Sequence, residues 1–480
     1  MKLSEIILED EYTLCEADKD AEIKKIATRP EDVEESTLLI IPNISKFKEP
    51  PSFKIPPIAV ASEKTDILPA EVRKIELKDA RATVAYAYFR FYKINTSSFK
   101  TIAITGTNGK TSTAHFAKAI LKECGKKVGY IGTGIIEIEE KIMSHENYSM
   151  TTPDPAELYE VLSKMQNEKC DVIIMEVSSH ALALEKTAPL NFDYAIFTNL
   201  SGEHRDFHKT TEEYFEAKCK LFKQCKTAVF NIDDPYARRA AKISLAQKNI
   251  TAGVLHKGDI YATHIENRGA LGISYLYRTE KFMFRMNLNI PGIYNVYNSM
   301  LAATVCIDLG CPPYLVKQAI HTLNCIPGRF EVIKGDVTVI IDFAHTEVAF
   351  ECFLREAKKL AKNNSLTVIF GCGGEREKEK RPKMAEIAER YADKIIVTSD
   401  NPRGEDPKKI IADIAKGFQK NDYNVIINRK RAIEETIKKA SHRDIITIVG
   451  KGIEKYIIDK SGYHSFDEKQ IISDALKKRR

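Results

Sequence analysis

The chain contains no run of about eighteen apolar residues, the length a bilayer-spanning helix needs, so no transmembrane segment is expected. Its first residues, Met1 to Tyr12, are acidic and lack a long apolar core, and they do not read as a signal peptide. Ten cysteines occur without one Cys-x-x-Cys pair, so neither a zinc site nor a disulfide framework is indicated. Mostly buried, reduced thiols in a cytoplasmic protein are the expectation. Excess charge of one sign is also missing: 73 basic residues against 67 acidic ones leave +6. That balance is compatible with anionic substrates and far below a nucleic-acid footprint, so no nucleic-acid partner is expected. The basic end, Lys477 to Arg480, reads as a solvated tail. Repeats of solenoid period and low-complexity tracts are absent as well.

What is present is an ordinary globular composition, 43% hydrophobic and 29% charged over 480 residues. At roughly 100–200 residues per domain, that length predicts about three domains. Residues 1–95 read as a small α/β unit, with strands at Leu38–Ile41 and Ile58–Ala61 and a helix over Asp79–Tyr92. Residues 96–327 alternate strand and helix, which predicts a parallel sheet of the phosphate-loop ATPase type, with an antiparallel stretch between His256 and Leu288. Residues 328–480 repeat the alternation and predict a second, Rossmann-like α/β sheet. Motifs stand at strand ends in both sheets, where open α/β folds bind ligands.

The strongest local signal is Gly106-Thr107-Asn108-Gly109-Lys110-Thr111-Ser112, between an apolar strand and an amphipathic helix. Glycines turn backbone N–H groups toward a phosphate, the helix start adds positive potential, Lys110 adds a full charge, and Thr111 offers a hydroxyl to Mg2+. The loop is shorter than a standard Walker A motif, which wants glycine where Ile104 stands. Glu176 ends a later strand of the same sheet and suits a hard cation. Taken singly, His180, His204 and His208 read as structural imidazoles; the company of Glu176 and the loop favours His204 as a ligand. Spacing alone makes Lys218 an ordinary helix lysine.

The run Gly106–Phe222 resembles the Mur ligases, which build the peptidoglycan precursor in the cytoplasm. The resemblance continues through Pro291–Asn298, Pro327–Glu331, Asp342–Thr346, Gly371–Arg376, Lys380–Pro382, Asp400–Arg403 and Gly450–Gly452, in the family's order. It covers nearly everything after about residue 75. Thr151–Pro155 and Asp400–Arg403 look like the members that add the third residue of the stem peptide. The implied reaction joins a diamino acid to UDP-N-acetylmuramoyl-L-Ala-D-Glu, with ATP hydrolysed to ADP and phosphate through an acyl phosphate. A monomer is expected.

The resemblance also implies roles. Lys218 matches a lysine modified to N6-carboxylysine, a carbamate that ligates Mg2+ beside Thr111, Glu176 and His204. Asn295 or Asn298, Arg329 and Asp342 match nucleotide-contacting positions. Thr28, Asn147, Thr151, Thr152, Ser178 and Lys186 match the part that holds the nucleotide-sugar peptide. Arg376, Asn401, Arg403, Gly450 and Glu454 match the amino-acid pocket, where an Arg fork suits a distal carboxylate and Glu454 a distal ammonium. Lys110, Lys218, His204 and Glu176 are thereby the expected catalytic set.

Several positions depart from the family pattern. Ala27-Thr28-Arg29 stands for Asp-Ser-Arg, and no Asp-Gly-His follows. Lys186 replaces Arg, Glu203 replaces Asp, Phe343 replaces Tyr, and Ile453 replaces His beside Glu454. The last change bears on the amino acid taken, so lanthionine stands beside diaminopimelate as a candidate. A lysine-adding ligase of the same step, a folylpolyglutamate synthase-like ligase and a non-catalytic nucleotide-binding protein are the competing readings.

Overall fold

The structure is a computed structural model, and it describes residues 1–143, 151–203, 207–420 and 422–479. An N-terminal sheet holds β1 (Tyr12–Cys15), β2 (Lys25–Ala27), β3 (Thr37–Ile40), β4 (Ala59–Ser62) and β5 (Lys74–Leu77), in the order β1-β5-β4-β3-β2. All neighbours are parallel except β1 and β5. The unbroken apolar run at β3 is explained by two-sided burial. Leu38 and Ile40 pack into one core, and Leu39 packs into another on the opposite face.

The central sheet is built from β6 (Lys100–Thr105), β7 (Val128–Gly132), β8 (Ile135–Ile138), β9 (Lys141–Ile142), β10 (Val172–Glu176) and β11 (Phe192–Phe197). It continues with β12 (Cys225–Asn231), β13 (Lys248–Gly253), β14 (Ile260–Asn267), β15 (Ile273–Arg278) and β16 (Met283–Leu288). The order is β16-β15-β14-β13-β12-β11-β6-β10-β7-β8-β9. From β14 to β7 the pairing is parallel, and antiparallel strands extend both edges. The antiparallel stretch expected after His256 is therefore an extension of this sheet. It is joined through Ala252↔Ile260 and Gly253↔Tyr261. The helices Lys110–Glu123 and Ile293–Asp308 cover one face together.

The C-terminal sheet holds β17 (Glu331–Ile333), β18 (Thr338–Asp342), β19 (Leu366–Phe370), β20 (Lys394–Val397), β21 (Asn424–Val425) and β22 (Ile445–Val449), in the order β17-β18-β22-β19-β20-β21. Only the β17–β18 pair is antiparallel among these. A hairpin of β23 (Tyr456–Asp459) and β24 (Gly462–Ser465) follows. Ile340 packs on one side of β18, and Val339 and Ile341 pack on the other, so helices cover both faces.

The units touch through specific contacts. Phe89 of the N-terminal unit meets Tyr159 edge-on at 6.0 Å between ring centroids. Arg329 donates to the Thr111 hydroxyl at 3.1 Å, and His345 meets Glu203 at 2.8 Å. Among the described residues no helix is long and apolar enough to cross a membrane.

Candidate active site

The phosphate loop follows β6 and leads into the helix Lys110–Glu123. Gly106 has φ +142°, and a Cβ there would fall 1.9 Å from Thr198 Oγ1. Glycine is therefore demanded both by conformation and by space. The residues after β11 brace the loop from behind. Asn199 Oδ1 accepts from the Asn108 amide at 3.0 Å, and Thr198 Oγ1 donates to Asn108 O at 2.7 Å. Lys110 Nζ donates to Gly106 O and Thr107 O, each at 2.9 Å. Burial pulls its pKa below the ordinary lysine range, against the opposing pull of Glu176 and Glu203.

Lys218 sits on the helix Thr211–Cys219 and is only 1% exposed. Its Nζ donates to the same Gly106 carbonyl at 2.9 Å and lies 4.5 Å from the Tyr214 ring centre. Burial, reinforced by Lys110 next to it, pushes the amine well below the usual 10.5 of lysine. The structure thus singles out a residue that spacing left ordinary: a buried amine whose charged form is disfavoured by its surroundings.

Glu176, at the carboxyl end of β10, is also buried. It accepts from Tyr130 OH at 2.5 Å, Thr111 Oγ1 at 3.1 Å and Thr133 Oγ1 at 3.2 Å. A carboxylate and a hydroxyl in contact beside a phosphate loop are the oxygen donors a hard divalent cation takes. His204 of the expected ligand set lies outside the described residues.

The four nucleotide candidates gather where the central and C-terminal units meet. Asn298 Nδ2 donates to Asn295 Oδ1 at 3.3 Å, and a Cβ on Gly109 would come within 2.5 Å of Asn298 Oδ1. Asp342, at the carboxyl end of β18, accepts from the Phe330 and Ala344 amides at 2.7 Å each, and burial raises its pKa. The Arg329 guanidinium lies 4.4 Å from the Phe343 ring centre.

The expected peptide-holding residues divide. Thr152 Oγ1 donates to Glu176 O at 2.9 Å and accepts from the Ser178 amide at 3.0 Å, while Thr151 meets Thr133 at 3.1 Å. These three stand directly against the Glu176 strand end. Lys186 is paired with Asp154 at 2.6 Å. Thr28 stands in the bend that directly follows β2 of the N-terminal sheet. Asn147 lies outside the described residues. Sequence reading missed a polar cavity of about 610 Å3 between the N-terminal and central units, which collects Lys64, Lys78, Arg81 and Lys220. Its wall includes Pro42–Ser45 and Glu63, beyond the carboxyl ends of β3 and β4, and that position is the signal that could have found it.

A second cavity, of about 160 Å3, brings together all five expected amino-acid residues: Arg376, Asn401, Arg403, Gly450 and Glu454. They come from loops after β19, β20 and β22, the carboxyl edge of the C-terminal sheet. Arg403 adopts φ +50°, and its Nη1 donates to Gly374 O at 2.8 Å. Gly450 has φ +119°, and a Cβ would meet Asp400 Oδ2 at 2.5 Å. Asp400, Glu203, His345 and Lys380 line the same cavity and were not singled out as pocket residues from sequence. Burial alone would raise the Asp400 carboxyl, but Lys451 and Arg429 hold it below the usual carboxylate range.

Two strand-end sites, one built around a phosphate loop and one around an ionic pocket, meet across a domain junction. Comparison with known proteins gives the family of both units. The family model of the Mur ligase middle domain matches residues 104–306, and that of the Mur ligase glutamate ligase domain matches 328–452. The chain belongs to the Mur ligase family. UDP-N-acetylmuramoyl-L-alanyl-D-glutamate--2,6-diaminopimelate ligase 1 of Clostridium acetobutylicum is 39% identical over 410 residues, 84% of this chain and 83% of that protein. The Syntrophomonas wolfei UDP-N-acetylmuramoyl-L-alanyl-D-glutamate--2,6-diaminopimelate ligase is 34% identical over 495 residues, 99% of each chain. A solved structure of UDP-N-acetylmuramoyl-L-alanyl-D-glutamate--2,6-diaminopimelate ligase superposes with a TM-score of 0.69 at 26% identity, covering 100% of this chain and 99% of that one.

Proposed function

We propose that this chain is an ATP-dependent ligase of peptidoglycan precursor synthesis. It joins the α-amine of a diamino acid, meso-diaminopimelate or a close analogue such as lanthionine, to the D-Glu side-chain carboxylate of UDP-N-acetylmuramoyl-L-Ala-D-Glu. The observation that carries this reading is the second cavity, which offers Arg403 and Arg376 for a carboxylate beside Glu454 and Asp400 for an ammonium. A lysine side chain ends in an ammonium alone and would leave the half-buried Arg403 fork unmatched. In this reading residues 1–95, 96–327 and 328–480 serve as the nucleotide-sugar, ATP and amino-acid units.

The D-Glu carboxylate oxygen attacks the γ-phosphorus of ATP, ADP departs, and an acyl phosphate forms. Lys110 and the amides opening its helix neutralise charge on the transferring group. Thr111, Glu176, His204 and a carbamylated Lys218 would hold Mg2+, which when bound withdraws charge from phosphate oxygens. The burial that lowers the Lys218 pKa supports that modification, because it favours the uncharged amine, which adds to carbon dioxide and releases one proton. The neutral α-amine of the diamino acid then attacks the acyl carbon, loses a proton and expels phosphate. The Glu203–His345 and Arg329–Thr111 contacts hold the C-terminal unit over the loop and support exclusion of water from the acyl phosphate.

The test is phosphate release from ATP with the UDP-linked dipeptide and, separately, meso-diaminopimelate, lanthionine, lysine and ornithine. Release with the diamino dicarboxylic acids alone is expected. Release with lysine alone overturns the pocket reading, and release with none overturns the ligase.

A further inference from the structure

Behind the second cavity stands Lys451, fully buried and not part of its lining. Its Nζ donates to Asn401 Oδ1 at 2.8 Å and lies 3.4 Å from Glu454 Oε2 and 3.8 Å from Asp400 Oδ1. Asn401 Oδ1 also accepts from the Ile458 amide at 3.1 Å, on the hairpin strand β23. Asn401 Nδ2 donates to Glu454 Oε2 at 2.9 Å. An asparagine amide has two acceptor positions on oxygen and two N–H donors on nitrogen. Here both acceptor positions are filled, one N–H is spent on Glu454, and a single N–H is left.

The amide cannot turn over. Reversal would set its NH2 against the Lys451 ammonium and the Ile458 N–H, two donor-to-donor contacts in a buried place. The only thing Asn401 can offer an incoming molecule is therefore a donor, which matches a carboxylate and repels an ammonium.

We propose that Lys451 is a positioning residue that fixes substrate choice: by locking the Asn401 amide it commits this residue, with Arg403, to the distal carboxylate, and leaves Glu454 and Asp400 to the ammonium. The inference rests on the ligase reading above. It adds how the pocket separates a diamino dicarboxylic acid from lysine. Without Lys451 only the Ile458 amide and Glu454 oppose reversal of the Asn401 amide, and Glu454 and Asp400 lose their shared cation.

The experiment compares kcat and KM for meso-diaminopimelate and for lysine in the full-length wild type and in Lys451→Met, with KM for ATP and the melting temperature recorded for both. The expected result is a KM for diaminopimelate raised roughly tenfold or more, with kcat and the KM for ATP within about threefold, and a preference over lysine reduced by roughly tenfold. A folded Lys451→Met with an unchanged diaminopimelate-to-lysine ratio overturns the proposal. Should Lys451→Met fail to fold, Asn401→Asp decides. It keeps acceptors toward Lys451 and Ile458 and removes the donor, so the preference must again fall, and an unchanged preference overturns the proposal. A wild type that turns over no diamino acid instead refutes the underlying ligase reading, so the two failures are distinguishable.

Discussion

The central and C-terminal sheets place their sites at the same edge, beyond the carboxyl ends of parallel strands, yet build them from different materials. The central site is made mostly of backbone: Gly106 and Gly109 at positive φ, a helix start, and one lysine curled over two carbonyls. The C-terminal site is made of side-chain charge, with Lys451 and Arg429 buried against Asp400, Glu454 and Glu468. The contrast follows from the ligands each is read to take. A phosphate is the same in every turnover and is matched by fixed N–H groups. Amino acids differ at their distal ends, and discriminating among them requires charges whose positions are held by other charges.

The comparison can be broken or sharpened by four changes, from the largest expected effect to the smallest. Lys110→Ala removes the lysine that the loop itself contributes and should lower kcat by roughly a thousandfold, read by phosphate release. Turnover near wild type would mean the loop does not serve phosphoryl transfer. Arg403→Ala should raise KM for diaminopimelate by roughly a hundredfold and leave KM for ATP nearly unchanged, because the two sites take separate ligands. Equal rises in both constants would show that the sites are not separable. Glu203→Gln weakens the His345 contact between the units and should lower kcat/KM by about threefold to tenfold.

The smallest effect concerns stability. The Lys218 amine is held below the usual 10.5, so between its folded value and 10.5 the unfolded chain binds a proton that the folded chain does not. Stability from this group therefore rises with pH across that window. In carbon dioxide-free buffer, Lys218→Met should reduce the rise in unfolding free energy with pH by up to about 1.4 kcal/mol per unit, followed by urea unfolding. An identical slope in both proteins would place the amine in its charged form.

The parts legible in sequence are those whose chemistry is local. The strand, glycine turn and helix around Gly106–Ser112 occupy some twenty consecutive residues, and the alternation of apolar strand and amphipathic helix announces parallel sheets without any long-range knowledge. The five residues of the second cavity were reached through short motifs compared with a family. What stayed hidden is non-local. Lys64, Lys78, Arg81 and Lys220 converge on one cavity from separate elements, and nothing in their spacing points to it. The Glu203–His345 contact joins residues 142 positions apart. Lys451 looks like one more basic residue in a glycine turn until burial shows that it has no solvent to face. The attachment of β14–β16 to the central sheet depends on two residue pairs, too little for periodicity to reveal.

The most direct test of the central claim, that the loop of one sheet activates a carboxylate for an amine held by the other, is an isotope transfer. UDP-N-acetylmuramoyl-L-Ala-D-Glu labelled with oxygen-18 in the D-Glu side-chain carboxylate is turned over with ATP and meso-diaminopimelate, and the released phosphate is weighed by mass spectrometry. An acyl phosphate carries one carboxylate oxygen into phosphate, so one oxygen-18 per phosphate is the result the account predicts. Product formation with unlabelled phosphate would contradict it.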